Sequence, residues 1–368
     1  MRVLHFYKTY FPDSFGGVEQ TIFQLVAGST HLGVKSTVLS LSSKKSNDAI
    51  GFGGQRIVTC KSNFKIASTN FSLSAFQKFA ELSKTADIIH YHFPWPFMDM
   101  VHFSINHGKP SVVTYHSDII KQKFLLNLYR PLKNKFLTDV DAIVSTSPNY
   151  FVTSNLLQQH RDKVEVIPIG IDRALYPPIE LGRSEKWRSI IGEKFFLFIG
   201  VLRYYKGISI LLDALALGDL PTVIVGAGAI EGELKKQAAS LGLKNVKFLG
   251  FLSDQDKVAI IDLSFAIVFP SHLRSEAFGI SLLEGAMFGK PMISSEIGTG
   301  TSFINIDADT GIVVPPSSPR DLHLAMIYLW RNPQIAKKMG INAAKRYFQL
   351  FTADKMCRSY HDLYKRII

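Results

Sequence analysis

Short runs of apolar, often β-branched residues recur along the chain, and longer stretches with helical spacing lie between them. In the first half the apolar runs fall at 3–7, 37–41, 87–91, 112–115, 142–145 and 164–167. Several are apolar at consecutive positions, as strands buried on both faces are. Helical spacing fills 18–31, 72–83 and 149–159. The second half repeats the scheme. Strands are predicted at 195–199, 222–225, 246–248, 265–269, 292–294 and 312–314, with helices at 208–216, 231–241, 256–263, 280–288 and 322–330. Strand and helix in alternation predict parallel sheets covered by helices on both faces. The stretch 168–188 holds Pro168, Gly170, Pro177, Pro178 and Gly182 without clear periodicity, so the domain boundary is expected there.

A chain of 368 residues fits two domains. Its 46% hydrophobic content is ample for two cores, and 20% charged residues argue against disorder. Cys60 and Cys357 cannot form a disulfide framework and lack metal-ligand spacing, which fits a reducing cytosol. Residues 3–7 are too short and polar for a signal peptide, and no apolar run is long enough to span a bilayer. The net charge of +12 favours anionic partners: nucleotides, nucleic acid or an acidic membrane surface. No basic and aromatic interleaving marks a nucleic-acid site.

Four constellations carry candidate chemistry. After the first strand, Gly16-Gly17 opens a helix where a phosphate or sugar can approach bare backbone, unless this is a plain turn. After the strand at 195–199, Arg203 and Lys206 lie three apart at a helix start and could neutralise a departing diphosphate. The segment Glu276-Ala277-Phe278-Gly279 through Glu284 sets two carboxylates two helical turns apart among apolar residues. His116 closes the strand at 112–115, where sheet-borne sites collect, although a lone histidine is often structural.

Other features invite weaker readings. Gly226-Ala227-Gly228 followed by Gly232 misses the dinucleotide spacing, yet it ends a strand and could face a phosphate. Asp139-Val140-Asp141 and Asp307-Ala308-Asp309 match an Asp-x-Asp metal pattern but read as turns and strand edges. His90, His92, His102 and His107 follow no standard zinc spacing. Residues 121–135 place cations around an apolar centre, the pattern of a helix on anionic lipid or of a surface helix facing a core.

Glu276 to Glu284 resembles the E-x7-E motif of retaining glycosyltransferases of family 4. The glycine loop, His116, Arg203/Lys206 and residues 245–250 follow in that family's order. Residues 4–20 are similar to bacterial mannosyltransferases that build lipopolysaccharide O-antigen. The resemblance implies a GT-B fold: two Rossmann-like, doubly wound α/β domains facing across a cleft. Residues 1–180 would bind the acceptor, 181–351 the nucleotide sugar, and 352–368 would cross back onto the first domain.

The resemblance also implies roles. Arg203 and Lys206 would hold the donor diphosphate in place of a metal, with no cofactor needed. Glu276, with Ala277, Phe278 and Gly279, would bind the donor sugar, and Glu284 the ribose. His116 would lie beside the transferring sugar and Gly16-Gly17 beside the phosphate. The implied activity is transfer of mannose from GDP-mannose to a lipid-linked or glycan acceptor, with retention, at the cytoplasmic face of a bacterial inner membrane. Gly226-Ala227-Gly228-Ala229 and residues 271–275 depart from the commoner family sequences. A UDP-sugar donor, a GT-B epimerase and a non-catalytic nucleic-acid binder are the alternatives.

Overall fold

The computed structural model describes residues 1–44, 46–51, 53–66, 69–119 and 123–368, with the side chains of 65, 66 and 123–126 excepted. The chain divides into two compact units, Met1–Gly170 with Thr352–Ile368, and Ile171–Phe351.

The first unit is built on β1 (Arg2–Phe6), β2 (Lys35–Ser42), β3 (Asn47–Ile50), β4 (Arg56–Lys61), β7 (Ile88–Phe93), β8 (Ser111–Tyr115), β9 (Ala142–Ser145) and β10 (Val164–Val166), with a hairpin β5 (Phe64–Ile66) and β6 (Thr69–Phe71) beside it. The eight-stranded sheet runs β10-β9-β8-β7-β1-β2-β4-β3. It is parallel except for the edge strand β3, which is exposed throughout. The central strand β7 is buried at every position, as the unbroken apolar runs require. The helices are α1 (Gly17–Ser29), α2 (Leu73–Thr85), α3 (Pro96–Ser104), α4 (Lys123–Asp139), α5 (Pro148–Thr153) and α6 (Asn155–Gln159). One helix was expected over 149–159. It divides at Ser154, whose backbone is extended (φ −92°, ψ 107°) and whose hydroxyl donates to Asp118 at 3.1 Å.

The second unit holds a fully parallel six-stranded sheet in the order β13-β12-β11-β14-β15-β16. Its strands are β11 (Phe196–Ile199), β12 (Thr222–Val225), β13 (Val246–Gly250), β14 (Ala266–Phe269), β15 (Met292–Ser295) and β16 (Gly311–Val314). Around it lie α7 (Leu181–Ile191), α8 (Ile208–Ala216), α9 (Glu231–Ser240), α10 (Asp254–Leu263), α11 (Ile280–Met287), α12 (Thr301–Ile304), α13 (Pro319–Arg331) and α14 (Pro333–Leu350). A continuous core joins Phe196, Phe198, Leu211, Val268, Ile293 and Met326. The chain then re-enters the first unit as α15 (Ala353–Ile367), which packs on α1. At that contact a side chain on Gly28 would meet the Cys357 sulfur at 2.7 Å.

The division falls at Gly170/Ile171 rather than at 180/181. Residues 171–180 are bonded into the second unit: the Ile171 amide donates to the Phe351 carbonyl at 3.0 Å, and the Tyr176 hydroxyl reaches Glu284 at 3.0 Å.

Both Asp-x-Asp pairs serve the fold. Asp139 and Asp141 accept from His102 (2.8 Å) and the Ser111 amide (2.7 Å). Asp307 and Asp309 accept from the Val313 amide (2.8 Å) and Asn342 (2.8 Å). No helix among the described residues is long and apolar enough to cross a membrane. Part of the basic apolar stretch at 121–135 lies outside the described residues; among the described side chains at 127–135 none is buried and Leu128 is exposed, while Phe136 and Leu137, which follow the stretch, face the core.

Candidate active site

A doubly wound sheet opens a crevice where neighbouring strands send their connections in opposite directions, at the carboxyl ends. In the second unit that point lies between β11 and β14. The loop after β11 carries Arg203 and Lys206, and the loop after β14 carries Glu276. The two loops touch: the His272 amide donates to the Tyr205 carbonyl at 3.1 Å, and any side chain on Gly207 (φ 69°) would run into the Pro270 carbonyl oxygen. This contact brings Lys206 Nζ onto Glu276 Oε2, with 13% and 11% of the two side chains exposed. The Ser271 hydroxyl donates to the same carboxylate oxygen at 3.3 Å, and the ammonium lies 4.8 Å from the centre of the Phe269 ring. Arg203, just before the turn, is exposed.

Glu276 precedes the helix in a loop and Glu284 lies within it, as their sequence positions suggest; residues 276–279 are not helical. Gly279 takes a left-handed conformation (φ 103°) and α11 starts after it. The preceding loop is pinned by the Gly300 amide on the Ala277 carbonyl (2.8 Å), and a side chain on Gly300 would meet Phe278 at 2.5 Å. Glu284 is buried within α11. Its Oε1 accepts from both Lys257 Nζ (3.1 Å) and the Tyr176 hydroxyl (3.0 Å). Burial alone would lower the Lys257 pKa, but the charges of Glu284 and Asp254 outweigh it and raise it. Neither glutamate is the exposed residue of an ordinary amphipathic helix.

Gly226 and Gly228 are explained by packing. Side chains there would run into the carbonyl oxygens of Gly200 and Leu202, and the Leu202 amide donates to the Ala227 carbonyl at 3.0 Å. The glycines let the β12 loop continue the sheet pairing of the β11 loop, which accounts for them without a phosphate.

In the first unit, Gly16 caps α1 in an extended conformation (φ −100°, ψ 173°). Glu19, in the first turn, is buried, accepts from the Thr9 hydroxyl at 2.7 Å, and lies 2.5 Å from where a Gly16 side chain would begin. The positive end of this helix therefore already faces a carboxylate. A hydroxyl suits the place beside Gly16 better than a phosphate.

His116 follows β8, its amide donating to the Phe93 carbonyl at 3.0 Å. Burial, and to a lesser extent the nearby Lys8 charge, pull its pKa down to about 3, so the ring is neutral. Its Nε2 lies 3.0 Å from His92 Nδ1, and His92 Nε2 lies 3.3 Å from His5 Nδ1. His90 stacks on His92 at 4.4 Å, with its own nitrogens on the Tyr364 hydroxyl (2.6 Å) and Thr114 hydroxyl (2.7 Å). Ligand atoms of His5, His90 and His92 lie within 4.8 Å of one another, close enough for a metal. A metal there would have to displace bonds that already occupy both nitrogens of His90 and of His92. His102 and His107 form a separate group around Tyr91 and Asp139.

Sequence reasoning missed Lys8, Glu19, His5, Tyr176, Lys257 and Ser271. Ser271 lies in a stretch already singled out and Glu19 follows the glycine pair by two residues. The others are joined to the site by tertiary contact alone.

Two Rossmann-like units on parallel sheets, the second presenting a lysine–glutamate pair at its crevice, define the GT-B class of glycosyltransferases. Residues 15–175 match the family described as Glycosyltransferase Family 4, and residues 183–346 match Glycosyl transferases group 1. The chain is 60% identical to the D-rhamnosyltransferase WbpZ of Pseudomonas aeruginosa, over 96% of this chain and 93% of that protein. It is 48% identical to the O-antigen chain mannosyltransferase C of Escherichia coli, over 100% and 99%. Sucrose-phosphate synthase from Thermosynechococcus elongatus has the same fold, with a TM-score of 0.80 at 18% identity over 99% of this chain and 98% of that one. The chain belongs to glycosyltransferase family 4 and is a glycosyltransferase.

Proposed function

We propose that this enzyme transfers D-mannose from GDP-mannose, with retention of configuration, to a lipid-linked or glycan acceptor during assembly of bacterial O-antigen. The observation that carries the reading is the Lys206–Glu276 pair at the β11/β14 crevice, with Arg203 on the same loop. As the sugar–phosphate bond breaks, charge develops on the departing diphosphate, and Arg203 and Lys206 neutralise it in place of a divalent cation. Glu276 binds hydroxyls of the donor sugar beside the backbone of Ala277, Phe278 and Gly279. Glu284 binds the ribose, with Tyr176 and Lys257 holding its other oxygen. His116 hydrogen-bonds the transferring sugar. Gly16 and Gly17 give access to bare backbone, where Glu19 favours a hydroxyl partner.

Mannose is supported by the full-length relative from Escherichia coli. The relative from Pseudomonas aeruginosa favours a second reading, transfer of D-rhamnose. That sugar is mannose without its 6-hydroxyl, so both readings keep one ring configuration. The +12 charge and the cations of α4 support residence on the anionic inner face of the bacterial inner membrane.

The test is turnover of radiolabelled donors by the full chain with a lipid-linked acceptor and chelator present. GDP-mannose is expected to serve. Turnover of GDP-D-rhamnose alone would select the second reading. Turnover of UDP-sugars alone, or a strict need for added metal, would overturn both.

A further inference from the structure

The first unit contains a row of side chains of which the transfer reaction, as set out above, uses only the last, His116. His5, His92 and His116 come from β1, β7 and the end of β8, which are neighbours in the sheet. Their rings touch in sequence through His5 Nδ1 to His92 Nε2 at 3.3 Å and His92 Nδ1 to His116 Nε2 at 3.0 Å. The rings stack at 5.6 Å and 5.3 Å with interplanar angles of 19° and 21°. His90 packs against His92 from the side and is clamped by Tyr364 and Thr114.

Burial keeps all of these rings uncharged. A neutral imidazole carries one N–H and one lone pair. Donation along the row must then run in one sense throughout. If His5 donates to His92 and His92 to His116, the proton of His116 sits on Nδ1. If the sense is reversed, Nδ1 of His116 carries the lone pair. Whether the Nδ1 that His116 can turn to a ligand donates or accepts is thus set by the rings behind it.

We infer that His92, backed by His5, is a positioning residue that fixes the tautomer and ring plane of His116, so that His116 meets the sugar as a neutral group of one defined polarity. This rests on the proposed role of His116 beside the transferring sugar. A merely space-filling histidine would need neither the matched nitrogens nor a partner on the next strand. The row also explains why β7 carries polar rings where an apolar residue would bury more cheaply.

Two substitutions at one position separate contact from packing. In His92→Asn the amide occupies the place of Nδ1 and keeps a partner for His116. In His92→Gln it occupies the place of Nε2 and keeps only the partner for His5. The nitrogen-15 spectrum of His116 in the resting protein reads the tautomer directly. In the native enzyme one nitrogen is expected to be pyrrole-like and the other pyridine-like. The Gln variant is expected to bring the two shifts together and to lower kcat roughly 10–100-fold, the scale found when the orienting partner of a metal-bound histidine is lost, with KM for the donor held. The Asn variant is expected to restore the separated shifts and most of kcat. His5→Gln, which removes the far partner, is expected to act like the Gln variant in weaker form.

Separated shifts and native kcat in a folded His92→Gln protein would overturn the inference, as would averaged shifts in the native enzyme. If His116→Ala transfers sugar at the native rate, the reading of His116 fails instead, and the spectrum of the resting protein still reports on the row.

Discussion

Lys206 and Glu276 hold each other where little water reaches them, so each variant has two effects. Removing one charge strips a group from the site and also leaves its partner unpaired in a poorly solvated place. Lys206→Ala is expected to lower kcat by about 10²–10³, the scale seen when one group that stabilises developing negative charge is lost. The donor KM should change far less, because the charge on the leaving group grows mainly on the way to the transition state. Kinetics at saturating acceptor would read both numbers, and an unchanged kcat would remove Lys206 from the leaving-group role. Both residues were legible in the sequence, through a basic turn after a strand and carboxylates in an apolar run. Their direct pairing was not, since nothing in either segment reveals that Gly207 lets the loops meet at Pro270. Glu284 was legible in the same way, while its anchors Tyr176 and Lys257 were not: Tyr176 lies 108 residues away and the signal joining them is tertiary.

At the scale of elements, the alternation of apolar runs and helical spacing revealed all six strands of the second sheet and six of those in the first. It missed β3, exposed at every position, and the short hairpin, which shows no buried face to read. It missed β4 as well, where Val58, Thr59 and Cys60 are buried but polar Arg56, Thr59 and Lys61 break up the apolar run. It also passed over α3, α7 and α14; the buried positions of α14 are mostly small residues, Ala336, Gly340 and Ala343 beside Met339 and Tyr347, which give little contrast to read. The histidine-bearing strands were read as apolar, yet their polar rings make a testable difference to stability. His5, His90, His92 and His116 are held neutral, with pKa values lowered by burial, to about 3 for His5 and His116. In the unfolded chain these rings take up protons below about pH 6.5. The folded chain does not, so their contribution to stability is complete above that pH and is lost as pH falls toward the folded values. Asp99, raised by burial, runs the other way and offsets one proton. His102, His107 and His160, also lowered by burial, add to the uptake, so the first unit loses stability as pH falls below about 6.5. Urea unfolding of the first unit, followed by amide exchange at pH 7 and pH 5, checks this, and an unchanged midpoint would contradict the neutral row. Tyr364 and Thr114 satisfy His90, so the returning helix α15 completes this polar core, and the first unit depends on the last residues of the chain.

For the whole molecule, two cores of different acid sensitivity make ligand binding separable by unit. A nucleotide that binds only folded protein stabilises it by RT ln(1 + [L]/Kd), about 2.7 kcal/mol at a hundredfold excess over Kd. The lysine–glutamate pair, Arg203, Glu284 and its anchors all belong to the second unit. GDP is therefore expected to raise the unfolding temperature of the second unit and to leave the acid-sensitive transition of the first unmoved. Calorimetry near pH 5.5 spreads the two transitions, because mild acid weakens the histidine-bearing unit first. UDP at the same concentration should give the smaller shift if the donor base is guanine. Because Lys206→Ala loses an interaction that matters most for the departing diphosphate, its GDP shift should shrink without vanishing. A GDP shift confined to the acid-sensitive transition would mean that the donor is held by the first unit, and the roles proposed for Arg203, Lys206, Glu276 and Glu284 would fall together.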